Sequence, residues 1–341
     1  MTSIERVRGI LAGKSVDRLP AQPLIMMFAA KHVGVKYVDY TRDGAVMAVT
    51  QLRFVENFGL DCLMTCSDPA REVIDIAGDE SVDWFDDQGP AINEGRAALR
   101  DMARLKTFKV PDPTAPGRMH DRIRAIEIMR RAAGGGMSIV GWVEGPLALA
   151  AELRGVIAIM TDFIENAPFV HALLDFCADV AIAYAPPQVE AGADTIAMSD
   201  AAASLIGPQL YGQFVLPRQM RVLESIKRRY PHVVTRLHMC GRTDPLMAQM
   251  KTLPADIIEL DFPVDLAAAR EVLGPDRAIL GNVSTITDLM EGSPDKVYQA
   301  CRRCHEICGR YHVVGAGCEV SPRTPPDNLR AMIQYARDHK P

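Results

Sequence analysis

The chain has 341 residues, 48% apolar and 24% charged, with a formal net charge of −5. That length suits one large barrel domain or two ordinary ones, and the acidic balance gives no electrostatic reason to expect a nucleic-acid partner. No run of about 18 uninterrupted apolar residues occurs, so no membrane span is expected.

The opening MTSIERVRGILAGKSVDRLP carries charges throughout and no apolar core of signal-peptide length, which makes a cytoplasmic location the default expectation. In that setting the eight cysteines are expected as thiols, either metal-bound or simply buried.

In chain order, Thr2 and Glu5 form a capping box ahead of Ile10 and Leu11, and Gly13 can close that helix. Eight short apolar runs follow, at residues 23–28, 62–66, 138–143, 195–199, 233–237, 257–260, 278–280 and 311–314. Each has the length of a strand buried on both faces, and most gaps admit a crossover helix. Alternation of this kind predicts a parallel sheet, and eight repeats predict closure into an α/β fold of the (β/α)8 TIM-barrel type with an N-terminal helical extension. The alternative is an open doubly wound sheet, but the first run leads into AAKHVG, which is not the glycine fingerprint usual there. Residues 67–113 are irregular and read as an insertion between strands two and three, near the barrel mouth. A helix is expected around residues 118–133, with Gly134 at its end. Asp244-Pro245 and Ser293-Pro294 read as N-caps followed by proline.

Barrel chemistry sits at the C-terminal strand ends. The fifth run ends in Leu237-His238-Met239-Cys240-Gly241 and the eighth in Gly315-Ala316-Gly317-Cys318-Glu319. One imidazole and two thiolates form a borderline-soft set suited to Zn²⁺, and three protein ligands leave the open position of a catalytic site. On its own, His-x-Cys more often marks a satisfied histidine and a buried thiol. Acids also follow the runs: Asp68, Glu144, Asp200 and Asp261, with Asn282 after the seventh. Glu144, in GWVEGP, is read as a catalytic residue and as a fourth metal ligand that substrate displaces. Asp200 is a second catalytic candidate, and Asp68 and Asn282 are candidates for orienting the bound molecule. For each of these, a helix cap or loop hydrogen bond competes with a direct role.

Other motifs are discounted. Cys301-Arg302-Arg303-Cys304-His305 fits the c-type haem pattern, but it lies in a strong helical pattern where Cys301, Cys304 and Cys308 share one face. Gly134-Gly135-Gly136 is not a phosphate loop, because no Lys-Ser/Thr follows.

Four stretches together resemble the uroporphyrinogen decarboxylase superfamily over essentially the whole length: ERVRGILAGKSVDRLP (5–20), GWVEGPLALAAELRG (141–155), GADTIAMSDAAASLIGPQLYGQFVLP (192–217), and LGNVSTITDLMEGSPDKV with GAGCEVSPRTPPDNLRAM (280–332). Within it the chain looks like the corrinoid-dependent methyltransferase branch. That branch carries His-x-Cys and a later Cys, here His238, Cys240 and Cys318, with 77 residues between the cysteines. The decarboxylases' arginine-rich RQAGR segment is replaced by Met27-Phe28-Ala29-Ala30-Lys31-His32, which weighs against tetrapyrrole decarboxylation. The resemblance implies a single barrel domain over residues 1–341, a bound zinc, and methyl transfer between cobalt and a small-molecule thiol, ether or folate. No D-x-H-x-x-G cobalamin motif occurs, so the corrinoid would come on a partner protein. A metal-free decarboxylase and a non-catalytic binding protein are the alternatives. Direction of transfer is not legible, and a homodimer is left open.

Overall fold

The computed structural model describes residues 1–341. Seven strands form one all-parallel sheet: β1 (Cys62–Met64), β4 (Ser138–Glu144), β5 (Thr195–Ser199), β6 (Val234–Met239), β7 (Ile257–Leu260), β8 (Ala278–Leu280) and β9 (His312–Val313), hydrogen-bonded in that order. Two further strands, β2 (Val82–Asp83) and β3 (Ala91–Ile92), make a small antiparallel hairpin in the insertion between β1 and β4.

The first expected strand is a correction. Residues 23–28 make no ladder, and a helix starts inside the run, at Met27–Val33. The bonded stretch lies earlier. Ala21 bridges Val314 in parallel, Gln22 N donates to Val314 O at 2.9 Å, and Asp61 N donates to Ala21 O at 2.9 Å. Residues 20–22 therefore touch both edges of the sheet. Pro20 and Pro23 have no N–H to give, so a regular ladder cannot run through them.

Side-chain alternation sorts the sheet into two faces. Ile139, Val143, Ile196, Met198, Leu237, Met239, Ile258, Leu260 and Ile279 face the surrounding helices and join a core of 85 buried residues. The opposite face carries two small apolar clusters, one with Cys62, Met64, Val140, Trp142 and Ala197, the other with Val234, Ile257, Ala278, Leu280 and Val313, covered by Val7 of the first helix. Register aligns Glu144 with Ser199, Ser199 with His238, and His238 with Glu259, so the upper row of this inner face is polar.

The Thr2–Glu5 capping box forms as expected on the helix Ser3–Leu11. The helix expected at 118–133 is observed at Arg118–Ala133, and Gly134 ends it with φ +68°. Ser293 caps the helix Pro294–Cys308. Asp244 does not act as a cap: it opens a short 3-10 turn, and its carboxylate accepts from Asp265 N at 3.0 Å. Cys301, Cys304 and Cys308 are all buried in the main core. One helix, Ala167–Glu190, is long and apolar enough to cross a membrane by length and composition. Here it buries Val170, Leu173, Leu174 and Cys177, and its Asp175 pairs with Arg218 at 2.9 Å.

Candidate metal centre

His238 lies at the end of β6 and Cys240 just beyond it, where Gly241 turns the chain at φ +83°. Asp261, after β7, pins that turn by accepting from Gly241 N at 2.6 Å and from Phe262 N at 2.7 Å. Cys318 arrives on the loop after β9. Its neighbour Gly317 packs so closely that a Cβ there would fall 2.2 Å from Phe262 N, so only glycine lets this loop meet the end of β7.

The three side chains converge. Nε2 of His238 is 3.1 Å from Cys240 Sγ, the two sulfurs are 3.5 Å apart, and Cys318 Sγ is 3.8 Å from Nε2. All three ligand atoms lie within 4.8 Å of one another. The other ring nitrogen, Nδ1, sits 3.1 Å from Glu259 Oε2, and Glu259 is held in turn by Arg236 at 2.6 Å. The approach of Glu259 to Nδ1 is a charge contact without hydrogen-bond geometry; a carboxylate there favours a proton on Nδ1 and would leave Nε2 to a bound metal. Burial alone would strip the proton from His238, but Glu259 and Cys318 outweigh it and raise the imidazole to about 10. The hydrogen bond from Cys240 comes first in lowering Cys318 to about 4, with His238 adding to it against burial; the Cys240 thiol is pushed up in consequence. Without a metal the trio is thus an imidazolium beside a shared thiol–thiolate pair. A soft cation would exchange for those protons.

Beside the trio is a cavity of about 280 Å³ walled by Leu24, Met26, Met27 and Trp142, with Asp68, Glu144, Glu152 and Glu319 among its lining residues. Clefts elsewhere are larger, such as one of about 820 Å³ by Phe169 and Phe176, but they lack a ligand set.

The other sequence-expected residues separate into two groups. Asp68 and Glu144 line the cavity. Asp68 receives Arg118 at 2.8 Å; burial would raise it, but Arg118, Arg122 and Arg71 hold it below the usual carboxylate range. Glu144 is engaged by Arg71 at 2.9 Å and is not among the three converging ligands. Burial lifts it to about 8, against the pull of Arg71. Asp200 and Asn282 do not line the cavity. Asp200 accepts from Ala148 N at 2.7 Å and Gln219 Nε2 at 2.8 Å, tying down the start of the helix Pro146–Arg154. Asn282 donates to the carbonyls of Asp261 and Val264 at 3.2 and 3.0 Å, bracing the loop that holds Cys240.

Sequence reasoning missed Glu152, Glu319, Trp142, Arg71 and the Arg236–Glu259 pair. Two signals were available. Glu319 directly follows Cys318, and Arg236 and Glu259 are charges set inside otherwise apolar runs.

The family model described as Uroporphyrinogen decarboxylase (URO-D) matches residues 2–339. The chain belongs to the uroporphyrinogen decarboxylase family. Within that family it is 32% identical over 244 residues to Methylcobamide:CoM methyltransferase MtbA of Methanosarcina acetivorans, covering 71% of this chain and 69% of the relative. It is 28% identical over 263 residues to Uroporphyrinogen decarboxylase of Picosynechococcus sp., covering 75% of this chain and 73% of that one. A solved structure titled methyltransferase from Methanosarcina mazei superposes with a TM-score of 0.88 at 26% identity, over 99% of this chain and 98% of the other.

Proposed function

We propose that this member of the family moves a methyl group between a corrinoid carried on a partner protein and a small molecule, at a Zn²⁺ held by His238, Cys240 and Cys318. The observation that carries this is the convergence of one imidazole and two sulfurs within 4.8 Å of one another on the wall of a cavity. The donor set fits the ion: one nitrogen and two soft sulfurs with a fourth position free, and a carboxylate behind the imidazole. The likeness to a methylcobamide:CoM methyltransferase supports the same reading. We further propose that residues 1–341 form one (β/α)8-barrel domain, in which the proline-interrupted stretch at 20–24 is the eighth stave.

When bound, zinc would let a thiol in its open position persist as a nucleophilic thiolate near neutral pH. The remaining work belongs to the chain. Glu259 would hold the remaining ring proton on Nδ1, leaving Nε2 to the ion. Asp261 and Asn282 hold the Cys240 turn in place. Leu24, Met26, Met27 and Trp142 keep water from the reacting atoms and confine the small molecule.

At about 280 Å³ the cavity lies just under the size range of sites for drug-sized ligands, and no lysine or arginine lines it. Both features disfavour a tetrapyrrole with several carboxylates, the substrate a decarboxylase reading needs.

The test is metal analysis of the purified chain followed by methyl transfer from methylcobalamin to a panel of thiols and folates. We expect close to one zinc per chain and transfer to a thiol. Cys318→Ala should lose zinc and transfer while keeping the wild-type circular dichroism. Full transfer by that variant removes the assigned site; no transfer by the zinc-loaded wild type to or from any panel member favours a binding protein on an inherited barrel.

A further inference from the structure

The cavity beside the three ligands is chemically one-sided. Four carboxyls line it, from Asp68, Glu144, Glu152 and Glu319, and no lysine or arginine does. With Zn²⁺ balanced by two thiolates, the metal centre would add no net charge. The question is which carboxyls have a cation of their own.

Asp68 has one, Arg118 at 2.8 Å. Glu144 has a share of one: Arg71 contacts it at 2.9 Å but also serves Glu72 at 3.1 Å. Glu152 makes no ion pair among the salt bridges of the chain, and its Oε2 is closed off from solvent with no hydrogen-bond partner. A buried carboxyl oxygen with an empty valence is rare in folded proteins and calls for a partner. Indole Nε1 of Trp142, also on the cavity wall, is a buried donor without a partner; it calls for an acceptor atom elsewhere on the small molecule, not for the ammonium.

We propose that the small molecule taken by this cavity carries an ammonium group, received by Glu152 and Glu144, while its sulfur or oxygen reaches the His238–Cys240–Cys318 set. This rests on the methyl-transfer reading above and sharpens it to a substrate class. An ammonium brings three donors and a positive charge to acceptor-rich walls. An anionic end group would meet four carboxyls on the wall, and the guanidinium groups behind them, Arg71 and Arg118, are already engaged by Glu144, Glu72 and Asp68. Burial raises both Glu144 and Glu152, and a cation seated between them would oppose that rise. The aromatic wall at Trp142 is also compatible with a cation.

Three thiols of equal length isolate the charge: cysteamine, 2-mercaptoethanol and 2-mercaptoethanesulfonate. Each is titrated calorimetrically into the zinc-loaded full chain at neutral pH under reducing conditions. We expect cysteamine to bind at least about ten-fold more tightly than 2-mercaptoethanol, a preference of roughly 1.4 kcal/mol, with the sulfonate weakest. In Glu152→Gln the ratio of cysteamine to 2-mercaptoethanol affinity should fall several-fold. The wild-type series stands by itself should that variant not fold. Equal affinity for the three, or tightest binding of the sulfonate, overturns the ammonium proposal and leaves thiol methyl transfer standing. Failure of the fully zinc-loaded chain to bind any of the three overturns both.

Discussion

The two faces of the central sheet differ in what they demand of the sequence. On the helix side, β4 to β8 present Ile, Val, Leu and Met to a core of 85 buried residues, and any apolar residue of similar volume meets that demand. On the inner side the same strands present Arg236, Glu259, His238 and Glu144. Arg236 and Glu259 are fully buried, which is costly unless each charge is met. The outer face is built for stability by area. The inner face gives up some of that stability to hold an imidazole in one tautomer beside two thiols.

Adjacent residues on β6 allow this contrast to be broken directly. Arg236→Met leaves Glu259 without its main cation and should cost on the order of 3–5 kcal/mol of unfolding free energy, together with zinc affinity. Leu237→Ala, one residue on but facing the helices, should cost about 2–5 kcal/mol while zinc affinity stays at the wild-type value. Chemical denaturation paired with a competitive zinc titration measures both. Equal losses of zinc affinity in the two variants would erase the distinction between the faces.

A smaller effect is expected at Glu259. Glu259→Gln keeps an acceptor near Nδ1 and toward Arg236 but removes the charge, and zinc affinity should fall about 10- to 100-fold, with some loss of stability because Arg236 stays buried without its counter-charge. Unchanged affinity would mean that Arg236 and Glu259 only fill the inner face of the sheet.

The smallest effect concerns Asp200, which is buried away from the cavity. Burial raises its carboxyl to about 6, although Gln219 and the amides of Ala148 and Leu147 pull it down. A folded-state value above the unfolded one means the native state binds the extra proton. Stability should therefore fall as pH rises from about 4 through 6 and level off above, by on the order of 1–3 kcal/mol. Asp200→Asn should flatten that slope without shifting the pH dependence of methyl transfer. A changed activity profile would instead draw Asp200 into the site.

The outer face was the readable one. Runs such as TIAMS at 195–199 and IIEL at 257–260 announce buried strands by composition, and both match observed strands. The run at 23–28 misled for a local reason: it is apolar, yet Pro20 and Pro23 remove the donors a ladder needs, and its last residues coil into a helix. For the metal set, His238, Cys240 and Cys318 could be read because ligand chemistry restricts the residue types. The cavity carboxyls could not be ranked the same way. Asp200 and Asn282 follow strands just as Asp68 does, and only packing reveals that Asp200 is taken up by the Ala148 amide and the Gln219 side chain and that the Asn282 amide donates to backbone carbonyls. Glu152 carries no strand-end signal at all, since it projects from the helix Pro146–Arg154.

The central claim is that His238, Cys240 and Cys318 form an open zinc site that takes the sulfur of a small molecule. X-ray absorption at the zinc edge of the metal-loaded chain, with and without cysteamine, tests it most directly. The account predicts two sulfur neighbours and one imidazole in the free protein, and a third sulfur once the thiol is added. A zinc that already holds four protein ligands, or whose sulfur count does not change with thiol, would contradict it.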